Sequence, residues 1–289
     1  MSKKLSVLVM GATGAQGGAV VRHLLPKGHQ VRALTRNPDS AKAKALKEQG
    51  VEVLKGDFTD ANSLVQAARG MDTMFAMTTP FEAGMAAETK QGVALADAAK
   101  QAGVGHLVFS SVGSADRKTG IPHFDSKYEV EKHIATLGIP YTVSAPVYFM
   151  DNCLGPWFLP SIQEGALKFA MPADRPLQQV SVDNIGAFNA ALIERRDTVF
   201  GQRFDFAGDE LTGEQTVAVI SQASDQTIGY AGFDPELMRA DNSDFADMFA
   251  WFNKVGYAVD TKKLRQDFPE VPWQSFEEWA SQQDWSAIK

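Results

Sequence analysis

Glycines at 11, 14 and 17 stand three apart in Gly11-Ala12-Thr13-Gly14-Ala15-Gln16-Gly17, between an apolar run at 5–10 and a helix-forming stretch at 17–25. In a strand–turn–helix setting each glycine has its own task. Gly11 permits the tight turn, Gly14 lets backbone approach a pyrophosphate, and Gly17 lets helix and strand pack closely, while the first N–H groups of the helix face the anion. The pattern therefore predicts a dinucleotide site built on backbone, with Ala12, Thr13, Ala15 and Gln16 supplying the intervening peptide groups.

The second apolar run ends Leu34-Thr35-Arg36. Sites that prefer NAD place a carboxylate at this point to hold the ribose hydroxyls. A guanidinium instead makes charge-assisted bonds to a 2′-phosphate, each worth roughly 1.5–3 kcal/mol, so Arg36 predicts NADP(H). Asp57 and Phe58 follow the third strand, placed to flank the adenine by a hydrogen bond and a face contact; the alternative is that Asp57 caps the turn ahead of Asp60. Thr78, Thr79 and Ser110 follow the fourth and fifth strands.

His123, Lys127, Val130, Ile134 and Leu137 recur at spacings of four, three, four and three, which puts them on one helix face. The three apolar members must bury against a sheet, so Lys127 and His123 continue that stripe toward the ligand edge. Burying an ammonium alone is costly, and ribose hydroxyls with a nearby cofactor phosphate would serve as its partners. An imidazole at 123 is suited to move a proton at neutral pH. His123 and Lys127 are thus the candidate catalytic pair. Lys90, three after Ala87 and four before Ala94, falls on the small-residue face of the preceding helical pattern, a weaker case of the same kind.

These positions need a scaffold that brings strand ends together. Short apolar runs at 6–10, 30–35, 51–54, 73–77, 106–110 and 141–145 alternate with helical patterns at 17–25, 40–49, 61–68, 83–102 and 124–137, the signature of an α/β, Rossmann-type doubly wound parallel sheet. Right-handed crossovers place every strand's carboxyl end on one edge, where ligands bind. After Pro146 the alternation stops. The expected organisation is an NADP-binding Rossmann domain at 1–150 and a smaller, mostly helical substrate or regulatory lobe at 151–289, interleaved with it. Thr212-x-x-Gln215 and Ser275-x-x-Glu278 read as capping boxes there, and Phe245, Met248, Phe249, Phe252, Trp273, Phe276, Trp279 and Trp285 as its packing.

Bulk properties narrow the function classes. The chain of 289 residues carries a net charge of −7 and no basic run, which disfavours direct nucleic-acid contact. Cys153 is the one cysteine, so no internal disulfide or Cys-x-x-Cys redox pair exists and a cytoplasmic location is expected. Redox chemistry must come from a cofactor. Histidines 23, 29, 106, 123 and 133 form no ligand-spaced cluster, so no metal is expected, and the apolar run at 5–10 is too short to span a membrane.

With these residues assembled, the chain resembles the NmrA-like branch of the atypical short-chain dehydrogenases/reductases, including its NADPH-sensing members. The likeness runs through Gly-Ala-Thr-Gly-Ala-Gln-Gly-Gly at 11–18, Thr-Arg-Asn-Pro at 35–38, Gly-Asp at 56–57, Lys-Gln-Gly at 90–92, His-Phe-Asp-Ser-Lys at 123–127, Tyr-Phe-Met-Asp-Asn at 148–152 and the tryptophan-bearing segment around Trp279. The resemblance implies NADP held by the glycine turn, Arg36, Lys90 and Lys127, with Tyr148 and Asn152 near the nicotinamide. Two positions depart from related patterns. His123 stands where the wider superfamily's Tyr-x-x-x-Lys has tyrosine, and Ala145 stands where relatives often carry arginine. The expected activity is NADPH-dependent reduction of a quinone-like or other electron-poor small acceptor, an oxidoreductase without the usual tyrosine. A second reading is an NADPH/NADP redox sensor that acts through a regulatory protein partner without turnover. A homodimer is compatible with both.

Overall fold

The structure, a computed structural model, describes residues 4–288. The described chain divides into two compact units: 4–118 with 122–145 and 185–204, and 119–121 with 146–184 and 205–288. The chain crosses between the units at 118/119, 121/122, 145/146, 184/185 and 204/205, so each unit is assembled from separate stretches of sequence.

In the first unit β1 (Ser6–Val9), β2 (Gln30–Thr35), β3 (Glu52–Lys55), β4 (Thr73–Met77), β5 (Leu107–Ser110) and β6 (Tyr141–Pro146) alternate with α1 (Ala15–Leu24), α2 (Ala41–Glu48), α3 (Ala61–Ala68), α4 (Met85–Ala102) and α5 (Pro122–Thr136). The sheet order is β6-β5-β4-β1-β2-β3 with a seventh strand, Gln202–Phe206, beside β6. Pairing is parallel from β3 through β6. All four residues of β5 and the first four of β4 are buried, as required of central strands covered on both faces. The seventh strand lies past the point where the regular alternation stops, and only its Phe204-Asp205-Phe206 stretch alternates as a half-covered strand does.

One sheet face is covered by α3, α4 and α5, with Leu8, Met74 and Phe109 packed among Leu64, Leu95, Ala99, Val130 and Ile134. Helices α4 and α5 approach so closely that a Cβ on Gly92 would lie 2.5 Å from Val130 Cγ2. Helix α5 starts at Pro122, two residues earlier than expected, because proline suits the first helical position. His123 is therefore a helical residue.

The second unit holds a three-stranded sheet (Asp209–Leu211, Leu177–Val180, Tyr148–Phe149), a parallel pair (Gly229–Gly232 with Ala166–Phe169) and helices that include Gly213–Ser224, Ser243–Lys254 and Phe276–Ser281. Both capping boxes form as read, Thr212 with Gln215 and Ser275 with Glu278. Phe245, Met248, Phe249 and Phe252 are buried, and Trp279 packs against Phe276 and Trp285. Trp273 is half-buried and donates its indole N–H to the Phe268 carbonyl.

Candidate functional site

The strand order reverses between β1 and its neighbours: the chain runs outward through β2 and β3, then returns to β4 on the other side of β1. That reversal opens a crevice at the carboxyl ends, the place where doubly wound sheets bind ligands. A cleft of about 380 Å³ lies there, entirely within the first unit.

Its floor is the glycine turn. Gly11 has φ +67°, which favours glycine, and its carbonyl accepts from Gly14 N–H at 2.8 Å, closing the turn. A Cβ on Gly17 would come within 2.4 Å of Gly11 carbonyl atoms and 2.6 Å of Met10 O, so helix α1 sits on the end of β1 only because residue 17 has no side chain. Gly14 caps α1 without any side-chain hydrogen bond. The N-terminal amides of a ten-residue helix thus open toward the cleft, a cradle that matches a pyrophosphate.

Gly11, Thr13, Gly14, Ala15, Gln16, Arg36, Asp57, Phe58 and Thr79 line this cleft. Ala12 and Gly17 are buried behind the turn, and Ala12 faces a second groove beside α2. Ser110 is buried and donates to Gln16 Oε1 at 2.8 Å, so it steers a lining side chain. Thr78 is buried and Lys127 is nearly so. Tyr148 and Asn152 belong to the second unit. There the Tyr148 ring meets Phe158, Phe169 and Phe252 edge-on, and burial pushes its phenol well above the usual range.

Three expectations change on contact with the geometry, and Arg36 has a neighbour that the sequence did not announce. Lys90 is exposed, because the buried face of α4 runs through Glu88, Gly92, Leu95, Ala96 and Ala99 and residue 90 points away from it; Gln91 lines the cleft instead. Asp57 Oδ1 accepts from both the N–H and the hydroxyl of Thr59 at 2.7 Å, the turn-capping alternative. Those Thr59 bonds hold its carboxyl below the ordinary range. The charge partner of Lys127 is protein: Nζ donates to Glu88 Oε1 at 2.8 Å and to the Thr78 carbonyl at 3.0 Å. Finally, Arg36 is not a lone cation, since its guanidinium lies 3.3 Å from Glu82 Oε2 across the cleft mouth.

Glu82 and Glu88 were missed. Nothing about Glu82 in a loop announces its reach, but Glu88 carried a signal: it stands four before Gly92 on the stripe that α4 buries. His123 is buried with its ring edge-on to Phe124 at 4.8 Å and tilted to Phe81 at 6.2 Å, one turn before Lys127 as the spacing predicted. Cys153, in the second unit, is buried and its thiol is pushed up to about 12 by desolvation, which leaves it without nucleophilic character near neutrality. Among the described residues no group of His, Cys, Asp and Glu side chains is arranged to hold a metal, and no helix is long and apolar enough to cross a membrane.

Comparison with known proteins gives the same architecture a lineage. An NmrA-like family domain-containing protein of Dictyostelium discoideum is 30% identical over 276 residues, 89% of each chain. A solved NADPH-dependent quinone oxidoreductase of Escherichia coli, complexed with NADPH, superposes with a TM-score of 0.80 at 25% identity over 95% of this chain and 98% of that one. NmrA, a solved negative transcriptional regulator, reaches the same TM-score at 21% identity over 97% and 95%, a likeness of fold. The family model described as NmrA-like matches residues 3–280. A glycine-turn cleft at the strand reversal of β1, a sequence relative across nine-tenths of the chain and a family match over nearly all of it agree: this chain belongs to the NmrA-like family.

Proposed function

We propose that the chain binds NADP(H) in the glycine-turn cleft and reduces a small, electron-poor acceptor of the quinone class. The observation that carries this reading is the uncapped start of α1 facing the same cleft as Arg36, which offers amides to a pyrophosphate and a guanidinium to a 2′-phosphate. Phe58, part of its ring packed on the core, offers a face to the adenine.

When bound, the nicotinamide supplies the hydride. The protein's own part is to orient the cofactor and handle the proton. An ammonium has three N–H groups; Lys127 gives two to Glu88 and Thr78, which leaves one for a ribose hydroxyl. His123, one turn earlier, is the proton donor in this scheme. A quinone spreads incoming charge over its ring, so it does not demand the phenolic acid that is replaced here by His123. The solved quinone oxidoreductase that shares the fold supports this acceptor class.

A second reading, a sensor without turnover, is favoured by the Arg36–Glu82 pair. A 2′-phosphate must compete with Glu82 for Arg36, and Glu82 sits in the loop before α4, so ligand binding and loop position are coupled. Because NADPH and NADP share the 2′-phosphate, this pair couples the loop to cofactor occupancy rather than to redox state, and a redox sensor needs a further difference at the nicotinamide end. Following NADPH absorbance with a panel of quinones and aldehydes separates the two. The reductase reading expects oxidation that falls about a hundredfold in His123→Ala, the usual scale for a lost general acid. No oxidation with any acceptor, despite tight NADPH binding, would transfer the case to the sensor.

A further inference from the structure

Glu88 is a fully buried carboxylate in the first turn of α4, and the cofactor reading gives it no task. Both of its oxygens are engaged. Oε1 accepts from Lys127 Nζ at 2.8 Å and from Thr78 Oγ1 at 3.1 Å, and Oε2 accepts from Ser126 Oγ. Lys127 in turn is clamped between this carboxylate and the Thr78 carbonyl, with 11% of its side chain exposed. Thr78 closes the circuit: its hydroxyl binds Glu88, its carbonyl binds Lys127, and its neighbour Thr79 lines the cleft.

A buried ion pair of this type adds little net stability, since desolvating both charges offsets most of their attraction. What it does confer is one fixed geometry, because two of the ammonium's three N–H vectors are assigned and the third is thereby set. We propose that Glu88 is the positioning residue of the site: it holds and neutralises Lys127 so that this lysine acts as a single directed hydrogen-bond donor to the cofactor ribose. Ser126 and Thr78 fix the carboxylate that does the holding. The inference rests on the cofactor reading above, in which Lys127 touches the ligand.

The test is a double-mutant cycle on the full chain, read by NADPH affinity and by quinone reduction. Glu88→Gln keeps the shape while removing the charge: its carbonyl oxygen can still accept from Thr78, and its amide NH2 must donate to Ser126 Oγ where the carboxylate accepted. It is expected to lower kcat/KM about tenfold, as Lys127→Met does, and the double variant is expected to lose no more than Lys127→Met alone, because the two act as one unit. Without cofactor, labelling of Lys127 by acetic anhydride, followed by mass spectrometry, is expected to rise several-fold in Glu88→Gln as the amine leaves its clamp. Ser126→Ala, which leaves both charges in place, should shift both readouts the same way by a smaller factor and covers the case in which Glu88→Gln fails to fold. Fully additive losses, or Lys127 labelling unchanged in both Glu88→Gln and Ser126→Ala, would overturn the proposal. If the wild-type chain fails to bind NADPH at all, the cofactor reading falls, while the labelling result still reports whether Glu88 holds Lys127.

Discussion

Arg36 and Glu82 face each other across the cleft mouth with side chains 71% and 62% exposed, so their attraction is screened and worth about 0–1 kcal/mol. A 2′-phosphate, with more charge and three acceptor oxygens, displaces such a partner readily. Glu82 then works against the ligand twice, as a competitor for the guanidinium and as a like charge beside the phosphate. Glu82→Gln is expected to tighten NADP(H) binding about threefold at low ionic strength, the scale of one exposed pair, with the gain fading at high salt; titration at two salt concentrations checks it, and weaker binding would contradict it. Arg36 could be read from the sequence because strand period fixes which residue stands at the tip of β2. Glu82 could not, since a loop has no period to place it. The face of Lys90 was misread for a related reason: alanines at 87 and 94 suggested a face, but the face actually buried is set by Gly92 meeting Val130, a contact between two helices that only the fold reveals.

At the scale of elements, the turn from β1 to α1 has the least tolerance. Adding a Cβ at position 17 brings it to 2.4 Å from backbone atoms of Gly11, which cannot rotate away as a side chain would. Gly17→Ala is therefore expected to force the start of α1 off the sheet, at about 1–3 kcal/mol or more of stability, with NADPH binding lost beyond what the destabilisation explains. Thermal melting together with a cofactor titration checks this; an unchanged melting temperature would mean that the turn relaxes. The same element shows why the βαβ half was legible: apolar runs, glycine spacing and helix periodicity all agreed there. The strand Gln202–Phe206 was hidden because its alternating stretch is only three residues long and it joins the sheet beside β6 long after β6 in the chain, past the end of the regular alternation.

Over the whole molecule, one buried histidine ties folding to pH. His106 lies fully buried, its Nε2 2.9 Å from Thr142 Oγ1, while the Thr142 hydroxyl donates to the Val199 carbonyl at 2.8 Å. Thr142 has one hydrogen to give, so its oxygen accepts from His106 Nε2–H. Burial first, then the Arg196 charge, pushes the imidazole down to about 3 from 6.5. Between those values the unfolded chain binds a proton that the folded chain refuses, so this contribution is complete above pH 6.5 and is lost as pH falls toward 3. His106→Asn should melt below the wild type at pH 7, with the gap narrowing steadily by pH 4.5; a gap independent of pH would contradict the assignment.

The central claim is that anionic cofactor groups rest on the amides at the start of α1 with Arg36 on the 2′-phosphate. Its most direct test is a fluorescence titration of NADPH and NADH with the wild type and Arg36→Ala. The account predicts that the wild type binds NADPH more tightly than NADH, and that the substitution weakens NADPH about tenfold while leaving NADH unchanged. Equal affinity for the two nucleotides in the wild type, or equal losses in the variant, would contradict it.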